Sequence, residues 1–557
     1  MSKSSQSCEK ISIKTPADIE KLIGSMSLDE KIGQLFMIGV QGAELNDDSR
    51  DMLQNYNAGG VILFARNITG GGQVKKMIAG LKSCAKYPLA VSIDQEGGLV
   101  LRLTSGATVL GGNMALAACG EKLYDEYCRE WGRITAEELR ELGFTLNLAP
   151  VLDVNDIKNP GIGARAFSDD PALCARLGAA LVKSVQLNGI SACAKHFPGK
   201  GNAAVDAHLD LPVIDRSLDQ IRNFELVPFK RAMEAGVDAV MTAHVVYRGI
   251  EGETLPATLS YKVLTGILKD ELGFEGPLIT DDMEMGAIKN YYEQHEACFK
   301  SFMAGADIIL ICHTKELQIK TMNYFKEKYI CGELCEERLN DALTRIFRMK
   351  SRAENFHAAG GFLPDYQKNS EFAQKLADSS LTLVGDEQGI LNIIRSGELE
   401  LKKAKKLFLI EAKFSAITQV EDIEEESPLA ALIKNELKTS DTEIINEKFE
   451  VKIDSAGARM LLESLAARGL GESPAVVVTY NAHIFSGQME LAFGVTEKAA
   501  YSVAVAVRNP YDLMGVSGKA CKLATYGFRR SNMRSVFSTL FRGLKPSGTL
   551  PVKFIKK

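Results

Sequence analysis

Two of the chain's seven histidines lie in one short segment of small residues, KHFPGKGNAAVDAHLDLP (195–212). Asp206 and His208 stand two positions apart there, shortly after a Lys-His pair. A carboxylate hydrogen-bonded to one imidazole nitrogen fixes the tautomer and stabilises the cation, which leaves the other nitrogen free to give or take a proton. A glycine- and alanine-rich loop could bring such a pair to a substrate. The pattern is typical of an acid/base dyad, although a solvent-facing histidine beside a turn-forming aspartate is the simpler alternative.

Two adjacent carboxylates follow an apolar run in PLITDDMEMGAI (277–288). A helix cap explains one of them, because the first turn of a helix favours negative charge. A cap does not explain both Asp281 and Asp282. A partly desolvated carboxylate can act as a nucleophile, so the pair supplies a nucleophile candidate.

Two glycine-containing stretches add groups that could hold a polar substrate. DQEGGLVLR (94–102) begins with Asp94 at the end of an apolar run and ends with Arg102. The aspartate can accept hydrogen bonds from sugar hydroxyl groups, and the arginine can donate to others. NPGIGARAF (159–167) carries a single arginine, Arg165. Taken alone, each stretch is better interpreted as an ordinary turn or loop.

Eight short apolar runs separated by helical patterns must position these groups. Near-continuous β-branched runs are typical of strands that are buried on both faces of a parallel sheet. The segments 175–188 and 218–236 have the apolar spacing of amphipathic helices. Eight alternations over about 340 residues predict a (β/α)8 TIM-type barrel. The predicted strands are 34–40, 59–64, 89–94, 144–150, 189–197, 238–244, 276–282 and 305–311.

The barrel prediction brings the polar residues to one rim, because chemistry in such barrels lies at the carboxyl ends of the strands. Asp94 ends the third predicted strand, and Lys195 and His196 end the fifth. His244 ends the sixth strand and Asp281 the seventh. We therefore expect these side chains to surround one site.

The pattern is interrupted once along the chain. Residues 1–350 are predicted to form the barrel, and the polar, glycine- and proline-containing stretch 351–378 a linker. Alternation of strands and helices then resumes, which predicts a three-layer α/β sandwich domain over residues 379–557. Its predicted strands are 381–385, 405–412, 442–449, 474–481 and 501–509, and its clearest predicted helices are 459–469 and 533–543.

Composition excludes several classes of protein. The net charge is −5 without a basic block, so neither a nucleic acid nor an anionic membrane is indicated as a partner. The eleven scattered cysteines are typical of reduced, mostly buried thiols. The first residues contain no apolar run of a secretory signal, so we expect a cytoplasmic protein. No histidine or cysteine spacing indicates a metal site.

The combination of motifs resembles glycoside hydrolase family 3, within it the β-N-acetylhexosaminidase branch. The most specific part is the Lys-His-Phe-Pro-Gly run followed by Asp-x-His, because other branches lack that dyad. The resemblance covers most of the chain. It rests on DQEGG, NPGIGARAF, KHFPGKGNAAVDAH, MTAHVVY (241–247), LPATLS (255–260), ITDD, AVAVRNPYDL (504–513) and KPSGTLPV (545–552).

The resemblance assigns roles by matching position. It implies that Asp281 is the catalytic nucleophile, that His208 is the general acid/base, and that Asp206 orients His208. It implies no cofactor and no metal. The positions that match those holding the terminal sugar are Asp94, Arg102, Arg165, Lys195 and His196.

The implied substrate is a carbohydrate with a terminal β-linked N-acetylglucosamine, such as a muropeptide in peptidoglycan recycling or a chitin-derived disaccharide. Three positions depart from the branch. Leu99 stands where an arginine is common, Lys200 replaces a histidine, and Ala207 replaces a serine. None of these departures removes a catalytic group, but Leu99 and Lys200 bear on how the leaving group is recognised.

Three alternative functions remain at this stage. The first is a β-glucosidase or β-xylosidase of the same family, against which the Asp206-x-His208 pair argues. The second is a carbohydrate-binding protein without catalysis, which the occupied catalytic positions disfavour. The third is an N-acetylglucosaminide phosphorylase on the same scaffold.

Overall fold

The computed structural model describes residues 15–252, 255–358, 363–418, 420–421 and 427–554. Eight parallel strands form a ring in chain order, in which the first strand pairs with the eighth and a bridge between Ile279 and Ile308 joins the seventh to the eighth. The (β/α)8 barrel is thereby confirmed. Its strands are Phe36–Gly39, Gly60–Leu63, Ala90–Ile93, Leu146–Asn147, Ser191–Phe197, Ala239–Thr242, Leu278–Ile279 and Ile309–Ile311.

The barrel strands are short and almost entirely buried, because side chains from both faces pack either inside the ring or under the surrounding helices. Each of the eight predicted strands contains one of them. The α-helices of this part of the chain are Pro16–Ser25, Leu28–Gly33, Asp47–Gln54, Gly71–Cys84, Asn113–Ala118, Tyr124–Leu142, Pro171–Leu187, Leu218–Asn223, Leu226–Glu234, Arg248–Glu251, Gly286–Lys289, Gln294–Ala304, Lys315–Ile330 and Glu336–Ala358, with a π-helix at Lys262–Glu271.

The helix predicted over 218–236 is two helices in the structure. Leu218–Asn223 and Leu226–Glu234 are separated at Phe224. Pro228 explains the break, because its ring nitrogen cannot donate to the carbonyl four residues earlier, which belongs to Phe224. The helix predicted over 175–188 lies within Pro171–Leu187 except for its last residue.

Two small strand pairs lie beside the barrel, in segments that the sequence patterns leave as loops. Gln95–Gly97 pairs with Val100–Leu101 in a hairpin after the third barrel strand. Val213–Ser217, at the end of the acid/base candidate's segment, pairs in parallel with Val246–Tyr247. Both pairs therefore support loops at the carboxyl-terminal rim.

A six-stranded sheet forms the second folded unit, with all five predicted strands present and a sixth, Cys521–Ala524, that the sequence prediction missed. That strand has only four residues and includes a lysine, so it gives no clear apolar run. In the sheet it lies between Thr382–Gly385 and Tyr501–Ala506. Beyond Tyr501–Ala506 follow, in order, Pro474–Thr479, Lys406–Ala412 and Glu443–Phe449. The helices of this unit are Ile390–Ser396, Pro428–Glu436, Ser455–Ala467, Ser486–Lys498 and Arg530–Phe541.

The predicted linker, 351–378, is mainly helical where it is described. Helix Glu336–Ala358 runs into it, and helix Tyr366–Ser380 fills its second half. The side chain of Asp365 caps the second helix by accepting a hydrogen bond from the backbone N–H of Lys368 at 3.1 Å. The polar composition therefore reflects solvent-facing helix sides, and the irregular linker is a correction to the prediction. The domain boundaries themselves stay a prediction.

Candidate active site

A cavity of about 290 Å³ opens at the carboxyl ends of the barrel strands. Seven of the eight side chains predicted for the site line it, and Asp206, the eighth, lies behind His208. The seven are Asp94, Arg102, Arg165, Lys195, His196, His208 and Asp281. The structure thus brings together residues from segments almost 190 positions apart in sequence.

Asp94 is the centre of a charged cluster on one side of the cavity. Its carboxylate accepts hydrogen bonds from Lys195 Nζ at 2.7 Å and from Arg102 Nη2 at 3.1 Å. Burial alone would raise the pKa of Asp94, but the two cations hold it well below its usual range. Asp94 is therefore an ionised acceptor with capacity left for hydroxyl groups of a ligand.

Glu96 joins Lys195 and Arg165 in the same cluster, and the sequence analysis did not predict it. Lys195 Nζ lies 2.6 Å from Glu96 Oε1, and Arg165 donates two hydrogen bonds of 2.8 Å to the same carboxylate. All three side chains are almost fully buried. One signal was present in the sequence: in an extended segment, residues two apart such as Asp94 and Glu96 point to the same side.

His196 is held in one tautomer by Asp153, a second residue that sequence reasoning missed. Its Nδ1 lies 2.7 Å from Asp153 Oδ2, and the other oxygen of Asp153 accepts the backbone N–H of Lys200 at 2.6 Å. Burial, with the nearby charges of Lys200 and Lys195, lowers the pKa of His196 well below its usual value. A neutral ring that donates from Nδ1 to Asp153 leaves Nε2 as an acceptor.

Asp281 follows the seventh barrel strand, and its two oxygens have different surroundings. Oδ1 accepts the backbone N–H of Asp282 at 2.9 Å, and Oδ2 lies 3.4 Å from Lys200 Nζ. Burial raises the pKa of Asp281, but Lys200, His244 and His208 outweigh it and lower the pKa below its usual value. Asp281 is therefore an anion directed at the cavity.

Asp282 also borders the cavity, but both of its oxygens are engaged by neighbouring loops. Its Oδ1 accepts the N–H groups of Glu284 and Cys312 at 3.2 Å each, and its Oδ2 lies 3.3 Å from His313 Nε2. These contacts fasten the loop after the seventh strand to the loop after the eighth. Of the two adjacent carboxylates, Asp281 is thus the better placed for chemistry in the cavity.

The Asp206-x-His208 pair forms the dyad that its spacing predicts. Asp206 Oδ1 lies 2.7 Å from His208 Nδ1 and also accepts the backbone N–H of His208 at 3.1 Å. Burial would raise the pKa of Asp206, but the hydrogen bond from His208 lowers it to about 2. The carboxylate therefore stays ionised, and His208 Nε2 is left for a ligand in the cavity.

Val420, from the second folded unit, completes part of the cavity wall. Its carbonyl accepts a hydrogen bond from Arg102 Nη1 at 2.6 Å. The neighbouring Glu421 is paired with Arg508 inside the second unit, and both side chains are fully buried. Arg508 Nη1 is also 3.0 Å from the hydroxyl oxygen of Tyr480. The second unit thus contributes to the site through a segment that no local sequence pattern marks.

Cys312 lines the cavity after the eighth strand, and burial raises the pKa of its thiol well above the usual value. Each of the ten cysteines among the described residues is a free thiol, and eight of them are buried. Within the same residues, no three His, Cys, Asp or Glu side chains are grouped in a way that could hold a metal ion. No helix there has the length and apolarity of a membrane span.

Comparison with known proteins gives consistent matches. Residues 27–349 match the model of the glycosyl hydrolase family 3 N-terminal domain. A beta-hexosaminidase of Stenotrophomonas maltophilia (strain R551-3) is 38% identical over 282 residues, which are 50% of this chain and 83% of that protein. Beta-hexosaminidase A of Pseudoalteromonas piscicida is 34% identical over 326 residues, and the match spans only 54% of each protein.

A solved structure matches both folded units. It is a glycoside hydrolase family 3 beta-N-acetylglucosaminidase from Paenibacillus sp. str. FPU-7, with a TM-score of 0.85 and 32% sequence identity. The superposition covers 95% of this chain and 99% of that one. The likeness therefore extends beyond the barrel to the second unit.

Proposed function

The chain belongs to glycosyl hydrolase family 3, and from this premise we propose that it is a retaining exo-β-N-acetylglucosaminidase. It would remove terminal β-linked N-acetylglucosamine through a covalent glycosyl-enzyme. The observation that carries the proposal is the placement of Asp281 and the Asp206–His208 dyad on one cavity, opposite the charged cluster around Asp94.

In the first step, ionised Asp281 attacks the anomeric carbon while protonated His208 gives its proton to the departing oxygen. The bond from the sugar to the leaving group breaks, and an ester bond between Asp281 and the sugar forms. Retaining glycosidases usually employ a second carboxylate as acid/base. Here the imidazole would take that role, with Asp206 stabilising its cation.

In the second step, water attacks the same carbon from the side that the leaving group has vacated. Neutral His208 takes a proton from the water, and the ester to Asp281 breaks to release the sugar. His208 ends protonated, as it began, so protons balance over the cycle. Two displacements at one carbon give net retention.

The charged cluster supports the exo character of the proposal. Asp94, Arg102, Lys195 and neutral His196 together offer donors and acceptors for the hydroxyl groups of a single sugar. The cavity of about 290 Å³ is at the small end of ligand pockets, which suits one terminal residue. The natural leaving group that we propose is a muropeptide or related fragment from cell-wall recycling, in the cytoplasm, where free thiols persist.

The test is a panel of 4-nitrophenyl β-glycosides of N-acetylglucosamine, N-acetylgalactosamine, glucose and xylose. We expect the highest kcat/KM for N-acetylglucosamine, with the β-anomer as the first product by proton NMR. A preference for glucose or xylose would make the protein a β-glucosidase or β-xylosidase. First formation of the α-anomer would exclude retention. Affinity for the sugar without turnover would indicate a non-catalytic binding protein.

The natural leaving group needs a separate experiment. Wild-type protein is incubated with a disaccharide peptide from peptidoglycan and, in parallel, with the N-acetylglucosamine dimer from chitin. We expect the larger kcat/KM for the peptidoglycan fragment. The opposite ranking would assign the enzyme to chitin-derived substrates and leave the glycosidase proposal intact.

A further inference from the structure

We propose that Gly286 positions the acid/base histidine by leaving room for its loop to rest on the helix that follows the nucleophile. Gly286 is the first residue of helix Gly286–Lys289, five positions after Asp281. The proposal rests on the proposed function, because it assigns His208 the proton transfer. Gly286 itself is a positioning residue that touches neither substrate nor reacting atoms.

Backbone hydrogen bonds join the loop to this helix. The N–H of Gly286 donates to the carbonyl of His208 at 3.3 Å, and the N–H of Ala287 donates to the carbonyl of Ala207 at 3.0 Å. These are the free N–H groups of a helix start, which need acceptors outside the helix. The acid/base residue and its neighbour therefore supply the acceptors.

Side chains extend the same contact. Asn290 Nδ2 donates to the carbonyl of Leu209 at 3.3 Å, and the hydroxyl of Tyr291 donates to the carboxylate of Asp210. Beneath them, Ala207 packs with Met285 and Ala287 in a small apolar cluster. We call this set of contacts between residues 207–210 and 285–291 the loop–helix contact.

The outer face of the loop is open to solvent near His208. Val205 and Leu209 are 44% and 64% exposed, so neither side chain anchors the loop in the core. The helix side, by contrast, is fixed to the barrel, because Met283 donates its N–H to Leu310 of the eighth strand at 3.0 Å. The strand pair of Val213–Ser217 with Val246–Tyr247 holds the far end of the loop, and the loop–helix contact is therefore the link to the barrel at His208 itself.

A side chain at position 286 would disturb this contact directly. A Cβ atom there would lie 2.6 Å from the carbonyl oxygen of His208 and 2.8 Å from that of Leu209. Both are backbone atoms, so the clash is relieved only if the loop moves. The backbone of Gly286 is not in the left-handed region, so alanine fits the helix itself and the effect falls on the loop.

Such a movement changes proton transfer more than sugar binding. A misplacement of about 1 Å can reduce a rate by about 100-fold. Lys195 belongs to the fifth barrel strand, and the other residues of the charged cluster follow other strands, so we expect them to keep their places. Gly286→Ala should therefore retain the affinity for a competitive inhibitor and lose turnover of substrates that need a proton on the leaving group.

The experiment compares Gly286→Ala with Gly72→Ala as a matched control. Gly72 is also at the start of a helix, Gly71–Cys84, and a Cβ atom there meets nothing within 4 Å. Tyr291→Phe, which removes a single contact at the edge of the loop, is a milder third variant. Each variant is assayed with an alkyl and with a 2,4-dinitrophenyl β-glycoside of N-acetylglucosamine, with and without azide.

We expect Gly286→Ala to lose roughly 100-fold in kcat/KM on the alkyl glycoside and far less on the activated one. Azide, which needs no general base, should restore turnover of the activated substrate and yield the β-glycosyl azide. Tyr291→Phe should change in the same direction by less, and Gly72→Ala should match wild type. An equal loss on both substrates without azide rescue, or wild-type rates throughout, would overturn the proposal.

A second measurement does not depend on activity. Amide hydrogen exchange of residues 286–287 and of the loop should be faster in Gly286→Ala than in Gly72→Ala, because the N–H donors lose their acceptors. Unchanged exchange would refute the loop–helix contact even in an inactive protein. If wild type hydrolyses none of the glycosides while exchange responds as expected, the proposed function fails and the positioning of the loop stands.

Discussion

The two sides of the cavity hold their side chains in different ways. Under the proposed function, one side binds the sugar through the charged cluster, in which Asp94, Glu96, Lys195 and Arg165 have side chains at most 10% exposed and are joined by ion pairs. The proton-transfer side is a single dyad, His208 and Asp206, on a loop. Lys195 lies on a barrel strand and Asp94 directly after one, whereas the position of the dyad depends on the loop–helix contact.

The difference has an energetic reason. Charges taken out of water are tolerated only when partners satisfy them with good geometry, which strands of a closed barrel provide. A residue that acts first as acid and then as base serves both steps from one position, because water attacks from the side that the leaving group has vacated. Under the proposed function, sugar binding falls to the side held by buried ion pairs, and the two-step proton transfer falls to a loop that the loop–helix contact positions.

The largest effect that we expect comes from Asp281, which both sides of the cavity face. Asp281→Ala should lose a factor on the order of 10⁴ or more in kcat while keeping its fold and its affinity for a sugar inhibitor. A fluorinated N-acetylglucosaminyl donor that slows hydrolysis of the ester should label Asp281 in the wild type, as read by peptide mass spectrometry. Label on Asp282 would reverse the assignment.

Sequence patterns predicted the barrel and most of the residues at its rim, because the signals for both are local in sequence. An apolar run that ends in a polar residue is visible within seven residues, and the barrel topology then places all such ends together. Asp94, Lys195 and Asp281 were found in this way. The residues themselves offered an acid/base dyad and a nucleophile candidate, but the choice between these roles and the simpler alternatives came from the resemblance to a family, because no periodicity distinguishes a nucleophile from a helix cap.

Residues that act through long-range contacts were missed. Val420 lies 318 positions from Arg102, and nothing in its own segment indicates that its carbonyl reaches the cavity. Asp153 lies just beyond the fourth predicted strand. Its role becomes visible only when the fold places its carboxylate beside the imidazole of His196. The helices in the predicted linker were missed because polar residues mark a solvated helix side as readily as a loop.

The second prediction uses substrates with different leaving groups to distinguish proton transfer from sugar binding. His208→Ala should lose about 10² to 10⁴-fold in kcat/KM on alkyl glycosides, the range typical of general acid catalysis, and much less on dinitrophenyl glycosides. Asp206→Ala should shift rates in the same direction, because the imidazole loses its orienting acceptor. Inhibitor affinity serves as the control. Wild-type rates for both variants on every leaving group would remove the dyad from the mechanism.

The third prediction concerns the stability of the sugar-binding side. Lys195→Met leaves two buried carboxylates short of a partner, so we expect a loss of about 3 kcal/mol in the free energy of unfolding. His208→Ala, on the loop, should cost less than about 1 kcal/mol. Urea titrations followed by circular dichroism measure both. Equal costs would contradict the division between a side held by buried ion pairs and a side held by a loop.

The fourth prediction uses pH. Lys200 lowers the pKa of Asp281, so in Lys200→Met the nucleophile becomes protonated at higher pH than in the wild type. The acid limb of the profile of kcat/KM against pH should therefore move to higher pH. The same linkage applies to folding: a carboxylate with a lowered pKa stabilises the fold above its ordinary pKa and loses that contribution as the pH falls through the folded value. Lys200→Arg, which keeps the charge, should leave the limb in place, and an unmoved limb in Lys200→Met would show that Lys200 does not act on Asp281.

The smallest effect that we expect is in the choice of nucleophile for the second step. A carboxylate base repels an approaching phosphate dianion, whereas neutral His208 does not and its protonated form attracts one. Lys200 Nζ lies 3.4 Å from Asp281 Oδ2 and adds a positive charge close to the anomeric carbon that is attacked in the second step. Water is nevertheless far more concentrated than phosphate, and the segment 198–208 contains no glycine-rich sequence with the spacing of a phosphate loop.

Hydrolysis should therefore dominate in millimolar phosphate, with N-acetylglucosamine 1-phosphate as a detectable minor product. Replacing phosphate by sulfate at equal ionic strength controls for salt, and Lys200→Met should reduce the minor share further because one attractive charge is gone. Chromatography of the free sugar and its 1-phosphate measures the ratio of hydrolysis to phosphorolysis. If the 1-phosphate were the main product, the protein would be a phosphorylase. The positive charge of Lys200 would then serve to attract phosphate as the second substrate.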